Sequence, residues 1–199
     1  MGNMIKKKRL LLTSFGLTSK LGRKLIEEEL KKDGDLSDKR IFLFHEPYYS
    51  IEPMLINSLL NCGFIRENII FSGEQKSNQD ILGVDYIYIT EGNTFDILAL
   101  IRERRLDVLI KVAVENGATY IGASAGSVIA GDTIEEAYLF DRNQAGVMDF
   151  SGLGLLKGIV IPHFTKEQLE QYLSNNAETM EKYGIVYAVA DDEILVIEI

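Results

Sequence analysis

The sequence predicts an α/β fold, a three-layer sandwich with a mostly parallel central sheet covered by helices on both faces. Two observations predict it. Short apolar runs alternate along the 199 residues with longer stretches whose apolar residues recur at helical spacing. Three of the short runs also lead into residues fit for chemistry: Thr90 before Glu91-Gly92-Asn93, Ile121 before Ser124, and Ile161 before His163. Sheets of this kind gather functional groups at the carboxyl edge of their strands.

The elements follow in order. Arg9 to Ser14 reads as a first strand, and Leu17, Leu21, Leu25 and Leu30 then recur at roughly helical spacing until Asp33-Gly34-Asp35. Arg40 to His45 is a second strand; Ile51 to Asn61 is a helix stopped by Gly63. Asn68 to Ser72 and Val84 to Thr90 are strands, followed by helices starting at Thr94 and spanning Leu106 to Glu115. Thr119 to Ile121 is a strand, Ile134 to Phe140 a strand or extended arm, and Gly158 to Ile161 a strand. Lys166 to Tyr183 reads as one polar surface helix. Tyr187 to Val189 and Ile194 to Ile197 read as a terminal hairpin around Asp191-Asp192. No repeat or linker breaks the pattern, so one domain over residues 1–199 is expected.

Composition narrows the function classes. A net charge of −9 argues against a general nucleic-acid binder. A single cysteine, Cys62, excludes an internal disulfide framework and a cysteine-cluster metal site, and its place in an apolar helical pattern suits packing. No apolar stretch reaches membrane-spanning length. The basic group Lys6 to Arg9 precedes too short an apolar run for a signal peptide, and Met1-Gly2 lacks the Ser or Thr of a myristoylation signal. The expectation is a cytoplasmic protein with no membrane or nucleic-acid partner; the oligomeric state, including a homo-oligomer, is left open.

Chemistry concentrates in Tyr120-Ile121-Gly122-Ala123-Ser124-Ala125-Gly126. A serine on a tight strand-to-helix turn is held in a strained backbone conformation with its hydroxyl outward, and only small neighbours fit beside it. The Ala125 amide would then sit where an oxyanion forms. The alternative is a tight turn whose hydroxyl caps a helix. A serine nucleophile needs a base, and the chain has two histidines, His45 and His163. His163 follows a strand directly, and Pro162 stiffens the backbone before it; a helix-capping role stays open. His45, before Glu46-Pro47, could line the same rim. Gly92 can offer an amide to a ligand, with Asn93 or Thr94 as a helix N-cap.

Gly92-Asn93-Thr94-Phe95, the serine segment and Pro162-His163-Phe164-Thr165, in that order, resemble the peptidase E family, the S51 serine peptidases. The resemblance spans about Asp85 to Thr165. It implies a class I glutamine amidotransferase-like (flavodoxin-like) fold. It further implies Ser124 as nucleophile, His163 as base, and Gly92, Asn93 and Ala125 on the oxyanion side. The substrate would be a small peptide, with dipeptides bearing N-terminal aspartate the known family case, and no cofactor or metal is implied. Three positions depart from the family pattern. Glu91 stands where the family has glycine. The family's acid falls near Leu139, which cannot orient a histidine, so Glu136 or Asp141 (with Glu135 beside them) is the candidate third member. Lys166 to Glu170 holds no arginine to grip a substrate aspartate.

Two other readings compete. An α/β-hydrolase esterase could use the same elbow, although the 39 residues from Ser124 to His163 leave little room for its intervening elements. A catalytically weak relative that binds a small molecule or partner is the non-enzymatic alternative. An amidotransferase proper would carry cysteine in place of Ser124. Two separated histidines with no paired carboxylates make no recognisable zinc site.

Overall fold

Leu10, Leu11 and Leu12 are fully buried, as are Phe42, Leu43 and Phe44, so the strands they form are apolar on both faces. The computed structural model describes residues 8–46, 51–75 and 77–198; Met1-Gly2, Lys6, Lys7 and Pro47 lie outside them. Five strands run parallel: β1 (Arg9–Thr13), β2 (Ile41–Phe44), β3 (Ile69–Phe71), β4 (Tyr86–Ile89) and β5 (Thr119–Ala123). With β8 (Ile194–Glu198) added antiparallel to β1, the sheet order is β3-β2-β4-β5-β1-β8. A second, two-stranded parallel sheet pairs β6 (Ile159–Pro162) with β7 (Val186–Val189).

Alternation along the strands sends side chains to two separate cores. Leu10, Leu12, Phe42, Phe44, Ile87, Ile89 and Tyr120 face one side. There they meet α4 (Thr94–Glu103) and α5 (Leu106–Glu115) through Ile97, Leu98, Ile101 and Ile110. Leu11, Ile41, Leu43, Tyr88 and Ile121 face the other side. They meet α1 (Lys20–Leu30) and α2 (Glu52–Cys62) through Ile26, Leu30, Leu55 and Leu59. The predicted three-layer α/β sandwich with a mostly parallel sheet is the architecture observed. Cys62 belongs to the second core, and burial, with the Glu27 charge, pushes its thiol up to about 12.

Four elements differ from expectation. The first helix begins at Lys20, capped by the Ser19 side chain, which leaves Leu17 ahead of it and Leu21 exposed; Ile26 takes the buried phase. Residues 134–140 form a 3-10 helix, Glu135–Leu139, rather than a strand. The polar stretch after His163 breaks at Asn176 into α7 (Lys166–Asn175) and α8 (Glu178–Tyr183); α3 (Gln79–Leu82) and α6 (Ala125–Val128) are single turns. The terminal hairpin does not form. β7 pairs with β6 and β8 with β1, so the Asp191-Asp192 turn carries the chain from one sheet to the other. Without β8, the fully buried leucines of β1 would lie on an open sheet edge.

Arg9 and Lys32 both bond Glu29, and Arg9 also holds Asp33 at 2.6 Å. Burial pushes the Glu29 carboxyl up, but the hydrogen bonds and charges of Lys32 and Arg9 outweigh it and leave it lowered. A carboxylate held below its unfolded value stabilises the fold above that value and loses this effect as pH falls through the folded one. Glu29→Gln is therefore expected to cost about 1–2 kcal/mol near neutrality. Urea denaturation at stepped pH should show the gap closing below the carboxylate range; a gap independent of pH would contradict the ion-pair account.

The Thr90 side chain, just past β4, is fully buried, and its hydroxyl has no hydrogen-bond partner among the described residues. An unpaired buried hydroxyl is destabilising, so Thr90→Val should raise stability by about 1 kcal/mol at unchanged denaturant slope. A loss of stability would show that the hydroxyl is bonded.

Candidate active site

The register of the sheet brings three strand ends level. Thr13 lies beside Ala123, and Ile89 beside Gly122. The residues that follow (Ser14 to Thr18, Glu91 to Asn93, and Ser124) therefore share one edge. Ser124 sits between β5 and the single turn α6 with φ 48 and ψ −106. Its glycine neighbours are sterically required. A Cβ on Gly122 would lie 2.6 Å from Gly126 O, and one on Gly126 would lie 2.3 Å from Ile89 O. The turn is stitched to β1. The Ser124 amide donates to Thr13 O at 2.8 Å, and Ser127 Oγ accepts from the Thr13 amide at 3.1 Å.

His163 follows Pro162 at the end of β6 and also has positive φ, 63. Arg105 is the only other non-glycine described residue with positive φ, so this backbone strain collects at two residues of one site. Ser14 fixes His163: its hydroxyl accepts from the His163 amide at 2.8 Å and donates to Val189 O at 2.6 Å. His163 Nε2 stands 3.2 Å from Ser124 Oγ, and Nδ1 stands 2.6 Å from Asp191 Oδ1. An ionised Asp191 accepts only, so Nδ1 carries the proton and Nε2 is left to accept from the serine hydroxyl. Phe15 and Phe140 flank the imidazole, with ring centroids 5.2 and 6.0 Å away.

The acid at the histidine corrects the expectation of Glu136 or Asp141. Glu136 accepts from the Tyr172 hydroxyl. Asp141 Oδ2 accepts from the Thr94 amide at 2.8 Å and from its hydroxyl at 2.6 Å, bracing the start of α4. Both carboxylates are committed elsewhere. Asp191 comes into place because Pro162 pairs with Val189, which sets the residues just past β6 and β7 side by side. A sequence signal existed, two aspartates one residue past a strand, but it read as a turn. His45 is not brought to Ser124: its Nδ1 lies 2.8 Å from Glu46 O, its Nε2 3.1 Å from Glu52, and its ring packs on Phe71.

Gly92 has φ 155, and a Cβ there would meet Glu46 Oε2 at 2.8 Å. Neither the Gly92 nor the Ala125 amide donates to another described residue, so both are available to an oxyanion. Asn93 is placed differently. Its side chain caps α4, accepting from the Phe95 and Asp96 amides, and donates to Arg142 O at 3.0 Å. Its own amide lies toward the Glu46 carboxyl. Burial raises that carboxyl and the Asp96 and Asp141 charges add to this, while the Asn93 amide pulls it down. Glu91 turns toward Thr18 and Tyr88. Among the described residues, no group of three or more His, Cys, Asp or Glu side chains is placed to hold a metal ion, and no helix is long and apolar enough to cross a membrane.

A strained serine, a histidine and an aspartate in hydrogen-bonded series at the carboxyl edge of a parallel sheet are the Ser-His-acid constellation. Residues 57–198 match the sequence model of peptidase family S51, and the chain belongs to that family. Peptidase E of Nostoc sp. is 30% identical over 123 residues, covering 62% of this chain and 49% of that protein. Peptidase E of Haemophilus influenzae is 31% identical over 132 residues, covering 66% and 57%. An uncharacterised peptidase of Listeria monocytogenes is 27% identical over 115 residues, covering 57% and 56%. The chain spans about half the length of the curated relatives it matches. Two crystal structures share the fold. One is a protein from Listeria monocytogenes EGD-e provisionally named a peptidase E, with TM-score 0.68, 20% identity, and 97% of this chain and 99% of that one covered. The other is a peptidase from an acI-B1 Actinobacterium, with TM-score 0.60, 19% identity, and 97% and 84% covered.

Proposed function

We propose that the protein is a serine peptidase that hydrolyses small peptides through an acyl-enzyme on Ser124. The observation that carries this reading is the series Ser124 Oγ, His163 Nε2, His163 Nδ1 and Asp191 Oδ1, with spacings of 3.2 and 2.6 Å. Family membership supports it.

The steps follow from the geometry. Ser124 Oγ attacks the scissile carbonyl carbon while His163 Nε2 takes the hydroxyl proton. The oxyanion is received by the Ala125 and Gly92 amides. Because α6 is a single turn, the Ala125 amide acts as an individual donor rather than through a helix dipole. The tetrahedral intermediate collapses, the C–N bond breaks, and Nε2 delivers its proton to the leaving amine. Water then attacks the ester with His163 again as base, releasing the acid and restoring the serine. Asp191 holds the tautomer and offsets the imidazolium charge. Dipeptides are the expected size class by family resemblance. Among the described residues, no arginine or lysine side chain bonds Ser124, His163, Asp191 or Glu91, which does not favour a preference for N-terminal aspartate.

The test is a dipeptide panel, including Asp-X, Ala-X and Lys-X, with a fluorophosphonate probe followed by mass spectrometry. Turnover and a probe adduct on Ser124 are expected. Peptide hydrolysis that persists in Ser124→Ala overturns the assignment.

A further inference from the structure

Glu91 opens the loop that carries Gly92, and its side chain crosses the end of β5 toward the loop after β1. A Cβ built on Gly16 would lie 2.2 Å from both Glu91 Oε2 and Tyr88 Oη, and 2.8 Å from Ala123 Cβ. The carboxylate thus packs against Gly16, beside the residue that precedes Ser124. Phe15, the other neighbour of Gly16, lies on the ring of His163. Glu91 lies on the rim that carries Ser124, and the residue keeps part of its surface exposed.

Its partners are neutral. The Thr18 hydroxyl donates to Oε1, and the Tyr88 hydroxyl to Oε2 at 3.3 Å, while Tyr88 Oη itself accepts from the Leu17 amide at 2.9 Å. Among the described residues no lysine, arginine or histidine pairs with Glu91. A carboxylate accepts about four hydrogen bonds, so two hydroxyls leave capacity over. Burial pushes the carboxyl up, and its own backbone amide and Tyr88 pull it down only in part. A mostly buried carboxylate without a countercharge, on the rim that carries Ser124, has the chemistry of a receptor for a cation.

We propose that Glu91 is a specificity residue that receives an ammonium group of the substrate on the acyl side of the scissile bond. The inference rests on Ser124 being the nucleophile. The ammonium has two sources. In a substrate cleaved after its first residue, the free α-ammonium sits one atom removed from the carbonyl carbon. In a longer peptide, a lysine ammonium reaches the rim on its four-carbon stem. The same charge disfavours a substrate that brings an aspartate carboxylate to this side.

The experiment measures binding by calorimetry to the full chain carrying Ser124→Ala, with and without E91Q. The ligands are Ala-Phe against N-acetyl-Ala-Phe, and N-acetyl-Lys-Phe against its norleucine counterpart. Glutamine keeps an acceptor for Thr18 and Tyr88, so the loop tie survives and only the charge is lost; thermal melts confirm equal folding. At least one ammonium ligand should bind about tenfold tighter than its neutral match, and E91Q should erase the preference. Which pair shows the effect tells α-ammonium from lysine. Absence of any ammonium preference, or one that persists in E91Q, overturns the proposal and leaves Glu91 as a brace between loops. Failure of the peptidase reading is separate: it appears as hydrolysis by the parent that is absent or insensitive to Ser124→Ala.

Discussion

Ser124→Ala should reduce peptide turnover by about 10⁴-fold or more while the protein still folds and binds its substrate. On the proposed mechanism the serine oxygen is the atom that becomes acylated, and no other described hydroxyl lies within hydrogen-bond reach of His163 Nε2. The backbone gives this experiment an internal control. Alanine inherits the strained φ of 48 and ψ of −106, whereas glycine occupies that region without a Cβ clash. Strain of this type costs on the order of 1–3 kcal/mol, and glycine gives back part of it as chain entropy. Ser124→Gly should therefore be as inactive as Ser124→Ala yet melt higher, by about 1 kcal/mol in stability. Both variants need only a turnover assay and thermal denaturation. An active alanine variant, or a glycine variant that melts below it, would break the link between strain and site.

Asp191→Asn should lower kcat by about 10²- to 10³-fold with little change in KM. Asparagine can offer its amide N–H to Nδ1, which moves the proton to Nε2 and leaves nothing to accept from Ser124. The Asp191 side chain is 52% exposed, so solvent weakens its charge, and the expected loss is smaller than for a buried acid. Glu136→Gln should leave the rate close to that of the parent because that carboxylate is spent on Tyr172. Asp141→Asn should act modestly, through the Thr94 contacts that brace the oxyanion loop. Steady-state kinetics on the four proteins settles the order. A rate for Asp191→Asn equal to the parent, or a larger loss at Glu136, would remove Asp191 from the series.

The layers, the strands and the Ser124–His163 pair were legible because local rules decide them. A strand buried on both faces must be a continuous apolar run, and a tight turn admits only small residues around its serine. The third member was not legible because no local rule speaks for it. Asp191 meets His163 only through the parallel pairing of β6 with β7, a contact between segments that nothing in their own residues announces. The same blindness produced the false hairpin: Asp191-Asp192 between two strand-like runs is good turn chemistry, but each run finds a better partner in a different sheet. The phase of α1 was misjudged because Leu21 is as apolar as Ile26. The Ser19 cap fixes the start of the helix, and with it which of the two faces inward. The resemblance placed Asn93 on the oxyanion side; its side chain caps α4, the other role its position offered.

The passage between the two sheets has a consequence for biogenesis. Ser124, His163 and Asp191 leave the ribosome in that order, and Asp191 arrives on the same turn that delivers the edge strand β8 to β1. Until that turn has been synthesised and both sheets have closed, the nascent protein carries a serine and an imidazole without the group that aligns them. On the proposed reading, competence for bond cleavage then waits for the pairing of β6 with β7 as well as for the synthesis of Ser124 and His163.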